Sequence, residues 1–383
     1  MIYLDNAATS FPKPEPVYQA MDTFARTSLA NPGRSGHRMA LASERILDDT
    51  RHLLNKLFHG ESPDRWIFTL NCTDALNMGI KGLLNDGDHV ITSDLEHNSV
   101  SRPLVALAEA GRISLTRIVS HQGYLNPEEV IAAITPRTKL VAITHAANVL
   151  GTVQPIEPIA AAVRQAGAYI LIDAAQSAGI VPIDLARTPI DLLAFPGHKA
   201  LYGPTGTGAL YVGPRVTLRP WREGGTGGDS STPVQPDMLP YRMEGGTPNV
   251  LGLAGLKAGI EWVLERGVEA NRLHEVALLQ KVVDWVARHD DHWAIAGAWD
   301  AARHVGALSL VPPVGLLPSE LGAILDTSFA IAIRPGLHCS PYIHKRLGSF
   351  PDGLVRISPG PFNTEADIEA FLSALEQITE GLL

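Results

Sequence analysis

Two polar side chains stand at the ends of apolar runs, where a folded chain finds them costly. In YILIDAAQSAG (169–179) a strand-length apolar run delivers Asp173 into a turn of small residues, with Gln176 close behind. A carboxylate ending a buried strand is unfavourable unless it meets a cation. In DLLAFPGHKALYGPTGTGALYV (191–212) Lys199, one of only eight lysines, follows Pro196 and Gly197 at the mouth of a second apolar run. Partial desolvation there lowers an ammonium's pKa and exposes a nucleophilic amine, which suits a Schiff base with a carbonyl cofactor. Alone, Asp173 also reads as a helix cap or structural ion pair, and Lys199 as a surface lysine. Together they supply what a pyridoxal phosphate site requires: a Schiff-base lysine and an acid that keeps the pyridine nitrogen protonated.

Such a cofactor needs a phosphate cradle. NCTDALNMGIKGLL follows the apolar run WIFTL and reads as a helix start, so backbone N–H groups around Cys72 and Thr73 would face an anion at the positive end of the helix dipole. Thr73 also reads simply as the helix cap. His97, in SDLEHNSV, is a candidate to stack on the pyridine ring, and Asn148, in ITHAANVLGT, a candidate site residue beside it. In RPGLHCSPYIHKRLG, Cys339 follows an apolar strand beside His338, in a segment made pliable by Gly336 and Pro341. Attack on a thiol sulfur requires a thiolate, which a neighbouring cation favours; the other reading is an inert buried cysteine.

The elements that position these residues follow from patterning. Seven β-rich apolar runs, at 66–70, 89–93, 113–119, 140–145, 169–173, 191–195 and 209–212, alternate with helical patterns such as SVSRPLVALAEAG, NPEEVIAAIT and IEPIAAAVRQAG. That alternation predicts an α/β fold with a mostly parallel sheet covered by helices on both faces, and ligands then lie at the carboxyl ends of the strands. Beyond 213 the pattern changes to a Gly/Ser/Pro-rich loop at 222–237 and two long helical stretches. A smaller α+β region follows, with strands near 305–311, 329–334 and 354–358 and a last helix. The expected division is a large domain over 14–250 and a small one over 1–13 and 251–383.

Composition bounds the function. With a formal charge of −9 over 383 residues there is no basic stripe for a nucleic acid or an anionic membrane surface. No apolar run approaches the roughly 20 residues of a membrane helix, and the opening MIYLDNAATSFPKPEP has no basic and apolar leader pattern, so a cytoplasmic location is expected. No metal ligands are assigned. The two cysteines are far apart and are expected to stay unbridged.

The segments YLDNAAT, CTDALN, EHNS, ANVLGT, DAAQSAG, GHKALYGPTGTG, EGGTPN, RPGLHCSP and VRISPGPFNTEADI, in this order, resemble class V aminotransferase-fold enzymes. More narrowly the chain resembles the cysteine desulfurase family, in its selenocysteine lyase-like and sulfur-mobilising branch. The resemblance implies the type I fold of pyridoxal-phosphate-dependent transferases and a reaction that converts L-cysteine to L-alanine. It further implies Lys199 on the cofactor's carbonyl carbon, Asp173 on the pyridine nitrogen, Gln176 near the phenolic oxygen and His97 stacked on the ring. Cys72, Thr73 and His198 would line the cofactor site, with Thr247 reaching it from a neighbouring subunit of a homodimer. Asn148 and Arg356 would bind the substrate carboxylate, and Cys339 would accept the sulfur as a persulfide for a sulfur-acceptor protein. Pro196 departs from the family, which often carries Ser or Thr there as a phosphate donor. A selenocysteine lyase acting on L-selenocysteine, another lyase of this fold, a class V aminotransferase, and a cofactor-binding relay protein are the competing readings.

Overall fold

The computed structural model describes residues 1–33, 36–227 and 231–382. Among them seven strands form the large sheet, in the spatial order Trp66–Thr69, Gly208–Val212, Leu192–Pro196, Tyr169–Asp173, Thr138–Thr144, His89–Ser93 and Ser114–Ile118. Gly208–Val212 is antiparallel to both its neighbours, and all other pairings are parallel. All seven expected strands are present, shifted by a residue or two at their ends.

The inner runs are mostly apolar because both faces of the sheet are covered there, whereas the edge strand Ser114–Ile118 carries Thr116 and Arg117 and is only partly buried. Side chains alternate between the faces. Ile91, Val141, Ile170, Ile172, Leu193 and Phe195 pack on one side, in the same core as Leu54 and Phe58 of the helix Arg38–Phe58 and Ile159 of the helix Ile156–Gln165. Val90, Leu140, Leu171, Leu192 and Leu210 pack on the other, against Leu76, Met78 and Ile80 of the helix Cys72–Leu83 and Leu104 of the helix Asn98–Glu109. Gly79 lets the helix Cys72–Leu83 lie tightly on the sheet, since a Cβ there would stand 2.6 Å from Leu171 Cδ1.

A second, antiparallel sheet runs Arg334–Gly336, Leu354–Ile357, Leu308–Val311, Ala294–Ile295. Its core joins Leu308, Leu310, Val355 and Ile357 to Leu279 and Trp285 of the helix Val268–Val286 and Phe371 of the helix Glu365–Leu382. Ile2–Tyr3 pairs in parallel with Ile331–Ala332. The expected strand at 329–334 differs. Phe329 ends a helix, Pro318–Phe329, and two short strands follow instead of one, Ile331–Ala332 and Arg334–Gly336. Ala330 separates helix from strand with φ 53°. The described part of the loop at 222–237 has no helix or strand, and its residues 228–230 lie outside the described residues. The helix Val250–Arg266 packs into the large core through Leu253, Leu256, Ile260 and Val263. Gly259 brings it against the chain just after Lys199, because a Cβ there would stand 2.1 Å from the Leu201 carbonyl oxygen.

Candidate active site

The carboxyl ends of five sheet strands open on one cavity of about 210 Å³. Cys72, Thr73, His97, Asn148, Asp173, Gln176, His198, Lys199 and Arg356, separated in sequence by up to 284 positions (356 − 72), all line it, together with Pro196 and Arg334.

Asp173 ends its strand and is buried. Its Oδ1 accepts from Ala175 N–H at 2.9 Å and from the Cys72 thiol at 3.6 Å, while Oδ2 takes no hydrogen bond from the described residues. Burial raises its pKa, opposed by the Ala175 N–H, then by the Lys199 charge and the Cys72 thiol. A buried carboxylate with an open oxygen on a cavity fits a protonated pyridine nitrogen. Burial, and then the Arg356 charge, pull Lys199 down to about 8, against the attraction of Asp173. An amine in that range is a competent nucleophile and base near neutral pH.

The loop carrying Lys199 is tied from the N-terminal segment. The His198 carbonyl accepts from Ser10 N–H at 3.1 Å and Lys13 Nζ at 2.8 Å, and the Lys199 carbonyl accepts from Ser10 Oγ at 3.0 Å. His198 Nδ1 is buried without a partner, and burial followed by the Lys199 charge holds the ring near pKa 4, hence neutral.

The helix Cys72–Leu83 is capped by Asn71, not Thr73: Asn71 Oδ1 accepts from Asp74 N–H at 2.9 Å. Thr73 falls inside the first turn, since the asparagine two residues earlier already has the extended backbone that a cap requires. The Cys72 and Thr73 N–H groups find no acceptor among the described residues, as the first turn of a helix leaves them. Together with His198 Nδ1 they fit a phosphate. Thr73 Oγ1 bonds Ser99 Oγ at 2.8 Å, and His97 Nδ1 accepts from Ser99 N–H at 3.0 Å, capping the helix Asn98–Glu109. That acceptor role places the ring proton on Nε2. Burial and then Lys199 pull His97 to about 4, so the ring is neutral, as stacking on an electron-poor pyridine requires. Gln176 donates from Nε2 to the Ala7 carbonyl at 3.0 Å.

Arg356 has no solvent exposure. Its Nη1 donates to the Asn148 carbonyl at 3.0 Å and its Nη2 to Asp5 Oδ1 at 2.9 Å, while Nε has no partner. Arg334 faces it across the antiparallel pair. Two guanidinium groups beside Lys199 make this end of the cavity suited to a carboxylate.

Two assigned residues do not line the cavity. Thr247 is exposed in a separate groove with Arg51, Glu244 and Pro248. Cys339 is an exposed free thiol on the turn between Arg334–Gly336 and the helix Pro341–Leu347. The cation beside it is Arg334, whose Nη2 donates to Cys339 Sγ at 3.9 Å. His338 is not that cation: burial, Arg356 and Arg334 push its pKa down to about 2, so it stays neutral. Nor does the turn hang free, because the Cys339 carbonyl accepts from Asn98 N–H at 2.7 Å. Sequence reasoning missed Arg334, Ser99 and Asp5, although each lies inside a quoted motif (RPGLHCSP, EHNS and YLDNAAT).

The model of the family Aminotransferase class-V matches residues 2–371. A probable cysteine desulfurase of Pyrococcus abyssi is 33% identical over 394 residues, covering 100% of this chain and 95% of the relative. One of Methanothermobacter thermautotrophicus is 33% identical over 386 residues, covering 98% and 94%. Among solved structures, the apo cysteine desulfurase of Thermococcus onnurineus superposes with a TM-score of 0.93 at 31% identity, covering 99% of this chain and 95% of that one. The fold is that of these enzymes, and the chain belongs to the class V aminotransferase family.

Proposed function

We propose that this protein is a pyridoxal 5'-phosphate-dependent cysteine desulfurase that converts L-cysteine to L-alanine and takes the sulfur onto Cys339 as a persulfide. The observation that carries the reading is Asn148: its side chain lines the cavity of Lys199 and Asp173 and donates from Nδ2 to the His338 carbonyl, at 2.7 Å, next to Cys339. Nucleophile and cavity thus share one side chain. Full-length similarity to proteins named cysteine desulfurase supports the same reading.

Lys199 would hold the cofactor through its carbonyl carbon, Asp173 the pyridine N–H, His97 one ring face and Gln176 the phenolic oxygen. The N–H groups of Cys72 and Thr73, the Thr73 hydroxyl and His198 would hold the phosphate, and Thr247 of one protomer would complete its partner's site in a homodimer. Bound there, pyridoxal phosphate supplies an electron sink that acidifies the substrate's Cα–H and loosens its Cβ–S bond. Arg356 and Arg334 anchor the substrate carboxylate, assisted by Asn148. Lys199 Nζ, freed on substrate binding, takes the Cα proton and later returns protons to the product. Cys339 Sγ attacks the substrate sulfur; an S–S bond forms as Cβ–S breaks. The sum is L-cysteine plus a protein thiol giving L-alanine plus a protein persulfide, with no external oxidant or reductant. A thiol of an acceptor protein then removes the outer sulfur.

The domain division belongs to the same reading: the antiparallel sheet and its core lie wholly within 1–13 and 251–383. So does a cytoplasmic location, supported by two free thiols of which one must stay reduced to act. Among the described residues no helix is long and apolar enough to cross a membrane.

Alanine release from L-cysteine and from L-selenocysteine by wild type and Cys339→Ala tests the function. Loss on cysteine alone supports the desulfurase reading. Full activity of the variant on cysteine overturns it, and keto acid as the product points to an aminotransferase.

A further inference from the structure

The turn that presents Cys339 is strained. His338 and Cys339 both have left-handed backbones, with φ of 48° and 60°. Crowding of Cβ against the carbonyl disfavours this for any residue but glycine, and such strain persists only where the surroundings over-determine it. Here Asn98 N–H holds the Cys339 carbonyl, Asn148 Nδ2 holds the His338 carbonyl, and Ser340 N–H donates to the Leu337 carbonyl at 3.0 Å.

Ser340 supplies the remaining tether. It is the N-cap residue of the helix Pro341–Leu347, yet its side chain makes no capping hydrogen bond. A serine at that position normally accepts from the first turn of its own helix. Instead the Ser340 hydroxyl, fully buried, donates to Asn148 Oδ1 at 2.7 Å. Asn148 therefore grips the residues on both sides of Cys339, one through Nδ2 and one through Oδ1. The His338 carbonyl can accept only from nitrogen, and this fixes which way the amide points. Nδ2 carries two hydrogens, so one remains beyond the bond to His338 on a side chain that lines the cavity.

We propose that Ser340 is a positioning residue: with Asn148 it forms a latch that ties the Cys339 turn to the carboxylate end of the cavity and sets where the sulfur stands relative to bound substrate. Its catalytic consequence rests on the desulfurase reading; the latch itself does not. A substrate carboxylate meeting the second Nδ2 hydrogen is then registered against the nucleophile by one rigid amide.

The test compares holoenzyme of wild type, Ser340→Ala and Ser340→Thr, with cofactor absorbance checking that the site is intact. Hydrogen exchange without substrate reads the Asn98 and Ser340 amides. Single turnover with L-cysteine reads sulfur on Cys339. Ser340→Ala should speed exchange of both amides about tenfold and slow sulfur transfer about tenfold, the scale of one buried hydrogen bond, with the cysteine concentration for half-maximal spectral change unmoved. Ser340→Thr, which keeps the hydroxyl, should restore both. Unchanged exchange in Ser340→Ala overturns the latch. Faster exchange with wild-type sulfur transfer overturns the positioning role. Absence of sulfur on Cys339 in wild type defeats the desulfurase reading, while the exchange measurement still decides the latch. Should Ser340→Ala fail to fold, Ser340→Gly is read in its place.

Discussion

Arg356 Nη2 donates to Asp5 Oδ1 at 2.9 Å, joining the N-terminal segment to the strand Leu354–Ile357 at a point where the guanidinium has no solvent contact. Arg356 lines the cavity, so the pair is both a structural joint and part of the site's charge. Removing the carboxylate leaves a buried cation with only the Asn148 carbonyl.

Asp5→Ala is therefore expected to lower the unfolding free energy by about 3 kcal/mol, the cost of breaking one side of a buried pair. Urea unfolding of the holoenzyme measures it. A loss below about 1 kcal/mol would show that Arg356 finds another partner.

Acid sensitivity has an identifiable source in His145. Its ring is buried, its Nδ1 has no partner, and burial pulls its pKa from 6.5 to about 4. As pH falls below 6.5 the unfolded chain takes up a proton that the folded ring refuses until about pH 4, so wild type loses stability across that window and is unaffected above it. His145→Gln lacks this proton. Comparing urea unfolding at pH 7.5 and 4.5, wild type should lose about 2–3 kcal/mol more than the variant. Parallel losses would assign the sensitivity elsewhere.

Pro196 ends its strand and lines the cavity without a side-chain donor. Pro196→Ser adds a hydroxyl where the phosphate is placed by the proposed reading. Titrating the apoprotein with pyridoxal phosphate should give a dissociation constant about fivefold lower, the scale of one added hydrogen bond. An unchanged or weaker constant would mean that the phosphate lies elsewhere.

The inner sheet strands were legible because a sheet covered on both faces demands mostly apolar runs, and the edge strand Ser114–Ile118 because its β-branched and apolar residues alternate with polar ones. Asp173 and Lys199 were legible as polar residues that such strands deliver to their carboxyl ends, and the quoted motifs led to their cavity neighbours. Pairings across the fold were not. Nothing local in YLDNAAT says that Asp5 meets a guanidinium 351 positions away. Ser340 reads as an ordinary helix cap until its hydroxyl is seen turned to Asn148. His338 looked like the cation beside Cys339, but its burial, which decides its charge, is a property of the folded chain. The helix Pro318–Phe329 ends against a strand with no glycine or proline between them, so the boundary there left no mark in the sequence.

Whether Cys339 takes the sulfur from L-cysteine is decided by mixing holoenzyme with one equivalent of L-cysteine, trapping sulfur with an alkylating agent and mapping the modified peptide by mass. One extra sulfur atom is expected on the peptide carrying Cys339, none on that carrying Cys72, and one L-alanine released per persulfide. Alanine release at wild-type rate with Cys339 unmodified, or sulfur found on Cys72 instead, would contradict it.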